Sequence, residues 1–317
     1  MLEILLDNKD GNVWDISELV SSVSWKTVRI GRPGSLDITL VKHKDLKIEP
    51  GAVIRVRSDN TNVFYGYVFT IEQSQDDDIR LVAYDQIRYL LSSDTYVFAN
   101  VTANDVIKRI AQDLGLRIGT MENTGYRIPT LVEDNQKLLD IICKALDLTL
   151  IATGQIYVFY DDFGLLTLRN AKNMAVDIMV GDESLAYGYS HKRSIDDDTY
   201  NRIKLVKDNK DTGKREVYIA QDSANIAKWG RLQYFQKVDE KLNSAQIKEM
   251  LDQLIQLKNR EKRTFRIDAL GDLQIRAGCY VPIAIEELGI NQHFLVDECT
   301  HKWDGSIHTM SLDLKVV

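Results

Sequence analysis

The stretch Leu36-Asp37-Ile38-Thr39-Leu40, followed by Leu46-Lys47-Ile48-Glu49-Pro50-Gly51-Ala52-Val53-Ile54-Arg55-Val56, returns near the other end of the chain. There it reads Phe265-Arg266-Ile267-Asp268-Ala269, then Leu273-Gln274-Ile275-Arg276-Ala277-Gly278-Cys279-Tyr280-Val281-Pro282-Ile283. Both copies read as strand, tight turn, strand, because apolar and polar residues alternate at period two on either side of a glycine. Gly51 and Gly278 each follow an L-x-I-x-x run and precede a strand, so they are expected to hold equivalent turns at backbone angles closed to other residues.

Working outward, the order of features is kept. Upstream lie the turn clusters Asp7-Asn8-Lys9-Asp10-Gly11 and Asp208-Asn209-Lys210-Asp211-Thr212-Gly213. Downstream, Tyr67-Val68-Phe69 and Ile79-Arg80-Leu81-Val82-Ala83-Tyr84 have counterparts in Phe294-Leu295-Val296 and Ile307-His308-Thr309-Met310-Ser311-Leu312. Identities are few, and any two small antiparallel modules share period-two patterning, so the repeat rests on this order. A homotrimer of such chains would present six similar modules in a ring.

The expected fold class is α+β, mainly β, in three parts. Residues 1–95 read only as short strands separated by turns, a small antiparallel β-barrel module. At Thr102-Ala103-Asn104-Asp105 a side-chain cap starts a helix that carries Val106, Ile107, Ile110, Ala111 and Leu114 until Gly115. A second helix is expected over 135–146, then strands at 149–152, 155–160 and 165–169, making 96–172 an α+β insert domain. Residues 173–317 return to strands as a second, related β-barrel module carrying an inserted helix at about 244–260. Its stripe of Ile247, Met250, Leu251, Leu254 and Ile255 is expected to pack on that module.

Among the 317 residues, 44% are hydrophobic and 27% charged, the balance of a globular chain able to bury cores. Net charge is −7, with no basic cluster longer than Arg260-Glu261-Lys262-Arg263. Gripping nucleic acid needs a positive face that displaces phosphate counterions, so specific nucleic-acid binding is not expected; an acidic surface suits instead the passage of a polyanion. Met1-Leu2-Glu3-Ile4-Leu5-Leu6 lacks a basic leader region, and no apolar run approaches the roughly 20 residues of a membrane helix. No membrane segment is therefore expected, and folding in a cytosol is.

Nothing in the sequence forms a catalytic constellation. The histidines are His43, His191, His293, His301 and His308, without H-E-x-x-H; there is no G-x-S-x-G, Walker or G-x-G-x-x-G pattern. Cys143, Cys279 and Cys299 form no C-x-x-C, and core filling is their expected role, with Cys279 and Cys299 placed to be neighbours across a sheet. His293, Cys299 and His301 are close in sequence but read better as strand and loop residues than as metal ligands. The triplets Asp76-Asp77-Asp78 and Asp196-Asp197-Asp198 lack the glycine and distal glutamate of a calcium loop; they are expected on solvated turns, with the lining of an acidic opening as the other reading. No catalytic, cofactor-binding or metal residue is assigned, no cofactor is expected, and the chain is not expected to be an enzyme.

The segment Asp222-Ser223-Ala224-Asn225-Ile226-Ala227-Lys228-Trp229-Gly230-Arg231-Leu232, the helix after it, and Leu273-Gln274-Ile275-Arg276-Ala277-Gly278 resemble the XkdQ-type tail hub proteins of contractile phages and phage-tail-like bacteriocins of Gram-positive bacteria. The domain order is similar along essentially the whole chain. The resemblance implies a fold akin to the T-even phage baseplate hub and to the hub of type VI secretion spikes. It further implies a homotrimeric ring meeting a sixfold tail tube protein on one face and a threefold spike on the other, with other baseplate and tape-measure proteins nearby. Because the chain ends just after its second module, the spike is expected to be a separate protein. Assembly in the bacterial cytoplasm and residence in a virion tail or tail-like particle follow. The alternative is a cell-wall-active or wall-binding tail protein working through 96–172, whose carboxylates are Asp105, Asp113, Glu122, Glu133, Asp134 and Asp140.

Overall fold

The alternation in Leu36, Ile38 and Leu40 puts these three side chains in a core and their neighbours outside, and Ile267 and Ala269 do the same in the second copy. The computed structural model describes all residues except Met1, Ser74, Asp76, Asp77, Asp197, 210–212, Lys241, Val316 and Val317. The first copy comprises β1 (Leu2–Asp7), β2 (Val13–Asp15), β3 (Val20–Val28), β4 (Ser35–Val41), β5 (Val53–Ser58), β6 (Thr61–Gln73) and β7 (Asp78–Tyr84). Next come β8 (Ser93–Val101), α1 (Ala103–Asp113), β9 (Ile118–Met121), β10 (Ile128–Lys137), α2 (Leu138–Thr153), β11 (Tyr157–Asp161) and β12 (Leu166–Asn170). They are followed by β13 (Val180–Gly181), β14 (Ala186–Ser194), β15 (Arg202–Asn209), β16 (Lys214–Gln221), α3 (Ser223–Trp229), β17 (Gln233–Lys237) and α4 (Ser244–Lys258). The chain closes with β18 (Lys262–Leu270), β19 (Tyr280–Ile285), β20 (Ile290–Asp304) and β21 (Ile307–Lys315). The protein is α+β and mainly β.

Among the described residues one large sheet runs β14-β18-β21-β20-β3-β4-β7-β6-β5-β1-β2, with β19 beside β20. The same block occurs twice in it: β3-β4-β7-β6-β5, and β14-β18-β21-β20-β19. The match extends to single hydrogen bonds. Gly51 N donates to Val68 O at 2.7 Å and Gly278 N to Val296 O at 2.8 Å; Val68 N returns to Ala52 O, and Val296 N to Cys279 O, both at 2.9 Å. Both glycines have positive φ, 87° and 94°. Each long strand is then interrupted by a bulge at the same place, between Val68 and Thr70 in β6 and between Val296 and Glu298 in β20.

The middle segment has its own core, built from one face of α1 and α2 against β8, β10, β11 and β12 and including Val106, Ile110, Leu139, Ile142, Phe159 and Leu168. Thr102 and Asp105 form a capping box at the start of α1. Residues 149–152, expected as a strand, instead continue α2, because buried Thr149 extends its inner face and turns its hydroxyl onto Ala145 O at 2.9 Å. The helix stops only at Gly154, which is left-handed.

A second difference concerns 173–317, which does not form a single unit. The chain divides into one unit of 1–190 with 266–317 and another of 191–265. In the first, a short link, 29–34, joins β3 to β4; between their counterparts β14 and β18 the chain instead makes β15, β16, β17, α3 and α4. The α4 stripe of Ile247, Met250, Leu251, Leu254 and Ile255 packs on Ile203, Leu205, Tyr218 and Val238 of this unit, rather than on the second β-module. A segment carrying its own apolar sheet face buries the helix locally.

The two turn glycines are not equally replaceable. A Cβ on Gly51 would meet nothing within 4 Å, whereas one on Gly278 would lie 2.5 Å from Val158 Cγ1 of β11. Gly51→Ala should cost about 1 kcal/mol, for the left-handed backbone alone. Gly278→Ala adds overpacking of about 1–3 kcal/mol. Denaturant unfolding of both variants checks this; equal losses would show that the Val158 contact yields without cost.

Candidate functional site

Three features of the larger unit could carry function: the seam between the two copies, a buried polar node, and the free sheet edges. At the seam β3 runs antiparallel to the distal half of β20, Val28 opposite Glu298 through Ser22 opposite Asp304. Aromatic rings stack across it. Trp25 lies 5.1 Å from His301, His301 5.9 Å from Trp303, and Trp303 4.2 Å from His308, centroid to centroid. Fully buried His301 has Nε2 2.8 Å from Ile275 O and Nδ1 3.0 Å from His308 Nε2. In the neutral ring that fits both contacts, Nε2–H donates to Ile275 and Nδ1 accepts from His308. Arg29 Nε–H donates to Asp297 Oδ1 at 2.7 Å, and Lys26 pairs with Glu298, closing the seam's outer end.

Of the residues singled out in sequence as Cys299, His293 and His301, the structure joins Cys299 and His301, with Sγ 3.2 Å from Nε2, and leaves His293 exposed opposite Pro282. The partner that completes the group is His308, which β21 places beside Trp303. Among the described residues no set of three or more His, Cys, Asp and Glu side chains is arranged to hold a metal. Burial also pushes the Cys143 thiol up to about 11, as fits a core residue.

The polar node was not legible in sequence. Asp85 accepts from Gly34 N at 2.8 Å and Ile87 N at 3.0 Å; Gln86 Nε2 donates to Asp161 Oδ2 at 2.9 Å and Gln86 Oε1 accepts from Arg117 N at 3.1 Å. Arg276 lies 3.9 Å from the Tyr160 ring centroid and donates to Asp161 O at 3.2 Å. One cluster thus ties the first copy, the middle segment and the second copy together. Burial, with Asp161 nearby, pushes the Asp85 carboxyl well above the usual carboxylate range, and burial raises Asp161 likewise. The groups are enclosed, and Arg276 Nε among them is buried without a hydrogen-bond partner.

The carboxylates of the middle segment are dispersed in local contacts. Asp105 caps α1, Asp113 receives Arg109 and the Tyr96 hydroxyl, Glu122 meets Arg169 and Asn170, Glu133 pairs with Lys144, and Asp134 accepts from Thr95. Of the aspartate triplets, Asp76, Asp77 and Asp197 lie outside the described residues. Asp78 is exposed at the start of β7; Asp196 is exposed, and Asp198 pairs with Lys258, both in the 191–265 unit.

The sheet edges are the remaining feature. β14 bonds to β18 on one side, and no described strand lies on its other. β6 has β5 alongside only as far as Tyr67; from Thr70 to Gln73 it has β7 on one side and no described strand on the other. In β20, the counterpart of β6, the matching half is paired with β3, the counterpart of β14.

Over residues 23–315 the sequence matches the model of the YQBQ-like family. The chain belongs to the YQBQ-like family. This YQBQ-like chain is 34% identical over 307 residues to the phage-like element PBSX protein XkdQ of Bacillus subtilis (strain 168), covering 94% of this chain and 93% of that protein. Its fold is similar to that of the 43 kDa tail protein of prophage MuSo2 from Shewanella oneidensis, with a TM-score of 0.72 at 15% identity and 98% of each chain covered. It is also similar to the E. coli c3393 protein, described as a type VI secretion component resembling the T4 tail proteins gp27 and gp5. That match has a TM-score of 0.59 at 9% identity and covers 100% of this chain and 77% of that one. The fold is thus that of phage tail proteins, in keeping with the resemblance seen in residues 222–278.

The His301 seam is open to direct measurement. Burial pushes its imidazole down to about 4, below the ordinary value, so the unfolded chain binds the proton first as the pH falls. The stability from neutral His301 is therefore full above pH about 6.5 and is lost between there and about pH 4, some 3 kcal/mol in all. Denaturant unfolding should show the advantage of the native protein over His301→Phe shrinking by that order across this window. A difference that stays constant with pH would show that His301 titrates alike in both states.

Proposed function

We propose that this YQBQ-like protein is a structural hub of a contractile tail baseplate, three copies closing a ring that adapts a sixfold tail tube to a threefold spike around a central channel. The observation that carries this reading is the pair of free sheet edges. Each chain contains one β3–β20 junction between its two copies and exposes the two halves of another, β14 and the distal half of β6. Unpaired strand edges are templates for pairing with another chain. When β14 of one chain lies along β6 of the next, the contact repeats the internal junction, and a head-to-tail contact of this kind closes into a ring if its rotation allows. Three chains then present six similar modules, nearly equivalent toward a tube and strictly threefold toward a spike.

The net charge of −7 suits a neutral or acidic channel wall, past which a polyanion moves without adhering; the aspartates at 76–78 and 196–198 are the candidates to line it. Tail tube, spike, other baseplate and tape-measure proteins are the partners this role requires, with assembly in the bacterial cytoplasm. The role is non-enzymatic, supported by the dispersed carboxylates of 96–172.

Adjacent amides of a strand point to opposite sides, so of Glu72 and Gln73 one faces away from β7. The proline substitution at that position removes only an outward donor. It should leave the monomer's melting temperature nearly unchanged while preventing ring formation on the cognate tube and spike, as imaged by electron microscopy. Normal rings from both Glu72→Pro and Gln73→Pro, or any count other than three copies per particle, would overturn the reading.

A further inference from the structure

The internal β3–β20 junction can be mapped onto the two free edges residue by residue. In β18, Phe265 is the counterpart of Leu36, which lies opposite Trp25 of β3. The His191 and Phe265 rings stand 6.0 Å apart, centroid to centroid, which puts His191 of β14 in the place of Trp25. Leu185 O accepts from Leu270 N, a pairing one residue out of step with His191 and Phe265. The bulge between Val20 and Ser22 sets β3 out of step along β4 in the same way. Lys192, Ser194 and Ile195 then stand where Lys26, Val28 and Arg29 do. In β6 the bulge after Val68 matches the one after Val296. Phe69, Thr70, Glu72 and Gln73 therefore stand where Asp297, Glu298, Thr300 and His301 do.

We propose that β14 of one copy pairs with the distal half of β6 of the next in the register of the internal junction, and that an ion pair between Lys192 and Glu72 selects that register. The inference rests on the ring reading and adds to it the residues that meet. Internally Lys26 lies opposite Thr300, and Arg29 is bonded to Asp297. Transferred to the free edges, Lys192 meets Glu72, Ser194 meets Thr70, and Ile195 meets Phe69. Where the internal junction has an ion pair, Arg29 with Asp297, the edges carry two apolar side chains; where it has Lys beside Thr, they carry opposite charges. Directly opposed pairs of these kinds stabilise an antiparallel ladder. Lys192 and Glu72 are both exposed. Their charged neighbours are engaged elsewhere: Arg80, opposite Glu72 on β7, stands 3.4 Å from Asp37, and Arg193 is bonded to both Glu261 oxygens. The same charges disfavour the other pairings open to an edge. Two β14 strands side by side would bring together Lys192 and Arg193 of both copies, and two β6 strands would bring together their Glu72 side chains. Head-to-tail pairing is thereby favoured over a twofold dimer.

Disulfide trapping of the full chain reads the register. With Gln73→Cys and His191→Cys in one chain, facing positions of neighbouring copies come within reach of a disulfide. Mild oxidation on the cognate tube and spike should then give a covalent trimer. Gln73→Cys with Lys192→Cys puts the two thiols on opposite faces of the sheet and should give little. Charge is tested separately. Lys192→Glu and Glu72→Lys should each lower the number of rings counted by electron microscopy about tenfold or more, since the like-charge pair recurs at three junctions. Both exchanges in one chain should restore them, with the monomer's melting temperature unchanged throughout. Trapping by the shifted pair as strong as by the facing pair, single exchanges that assemble like the native chain, or a double exchange no better than the singles would each overturn the register. Three-copy rings that persist in those cases leave the hub reading standing. A native chain that forms no ring on tube and spike overturns both.

Discussion

The antiparallel ladder between β3 and β20 is the interaction on which the larger unit depends. It joins strands about 270 residues apart in sequence, and the Trp25, His301, Trp303 and His308 rings stack along it while Trp25 and Trp303 also pack into the aliphatic core with Ile4, Leu36 and Ile38. Stacked rings add directional contact to the area they bury. The neutral His301 ring also satisfies a buried carbonyl, Ile275 O, that would otherwise be costly. Seam and turn are coupled through Thr27, whose hydroxyl oxygen accepts from Ala277 N at 3.0 Å beside Gly278. The seam therefore sets both the register of the sheet and the position of the second turn.

The two copies are alike in backbone geometry, and packing explains where they diverge. The turn glycines, the returning hydrogen bonds and the bulges match because backbone geometry admits few solutions for a strand, a reversal and a bent long strand. Gly51 faces open space, whereas Gly278 lies against Val158 of the middle segment. The link between the first two strands of the block is short in one copy and holds a separate unit in the other. Surface links tolerate such insertions because lengthening a loop costs little once its ends are held by paired strands.

In the proposed reading, function resides in sheet edges rather than in a cleft. Carboxylates that a hydrolase would converge on a substrate are here placed on caps, ion pairs and the buried node at Asp85 and Asp161, where they hold segments together.

The mainly β class, the repeat, the turn glycines, the cap of α1 and the apolar stripe of α4 were all legible in the sequence, because each depends on local periodicity or on a single residue's backbone freedom. The extent of α2 was not, since Thr149, Leu150 and Ile151 suit a strand as well as a helix and only burial against the middle core decides between them. Cys299 and His301 could be noticed as neighbours, but His308 and Trp25 join them only through strand pairing. The node of Asp85, Gln86, Asp161 and Arg276 draws on three distant segments and leaves no local signal. The separation of 191–265 was hidden for the same reason: amphipathic strands and a helix announce that they need a core, not which core they share. Periodicity and turn chemistry determine elements one at a time; which elements meet, and which edges stay open, is settled only by packing the whole chain.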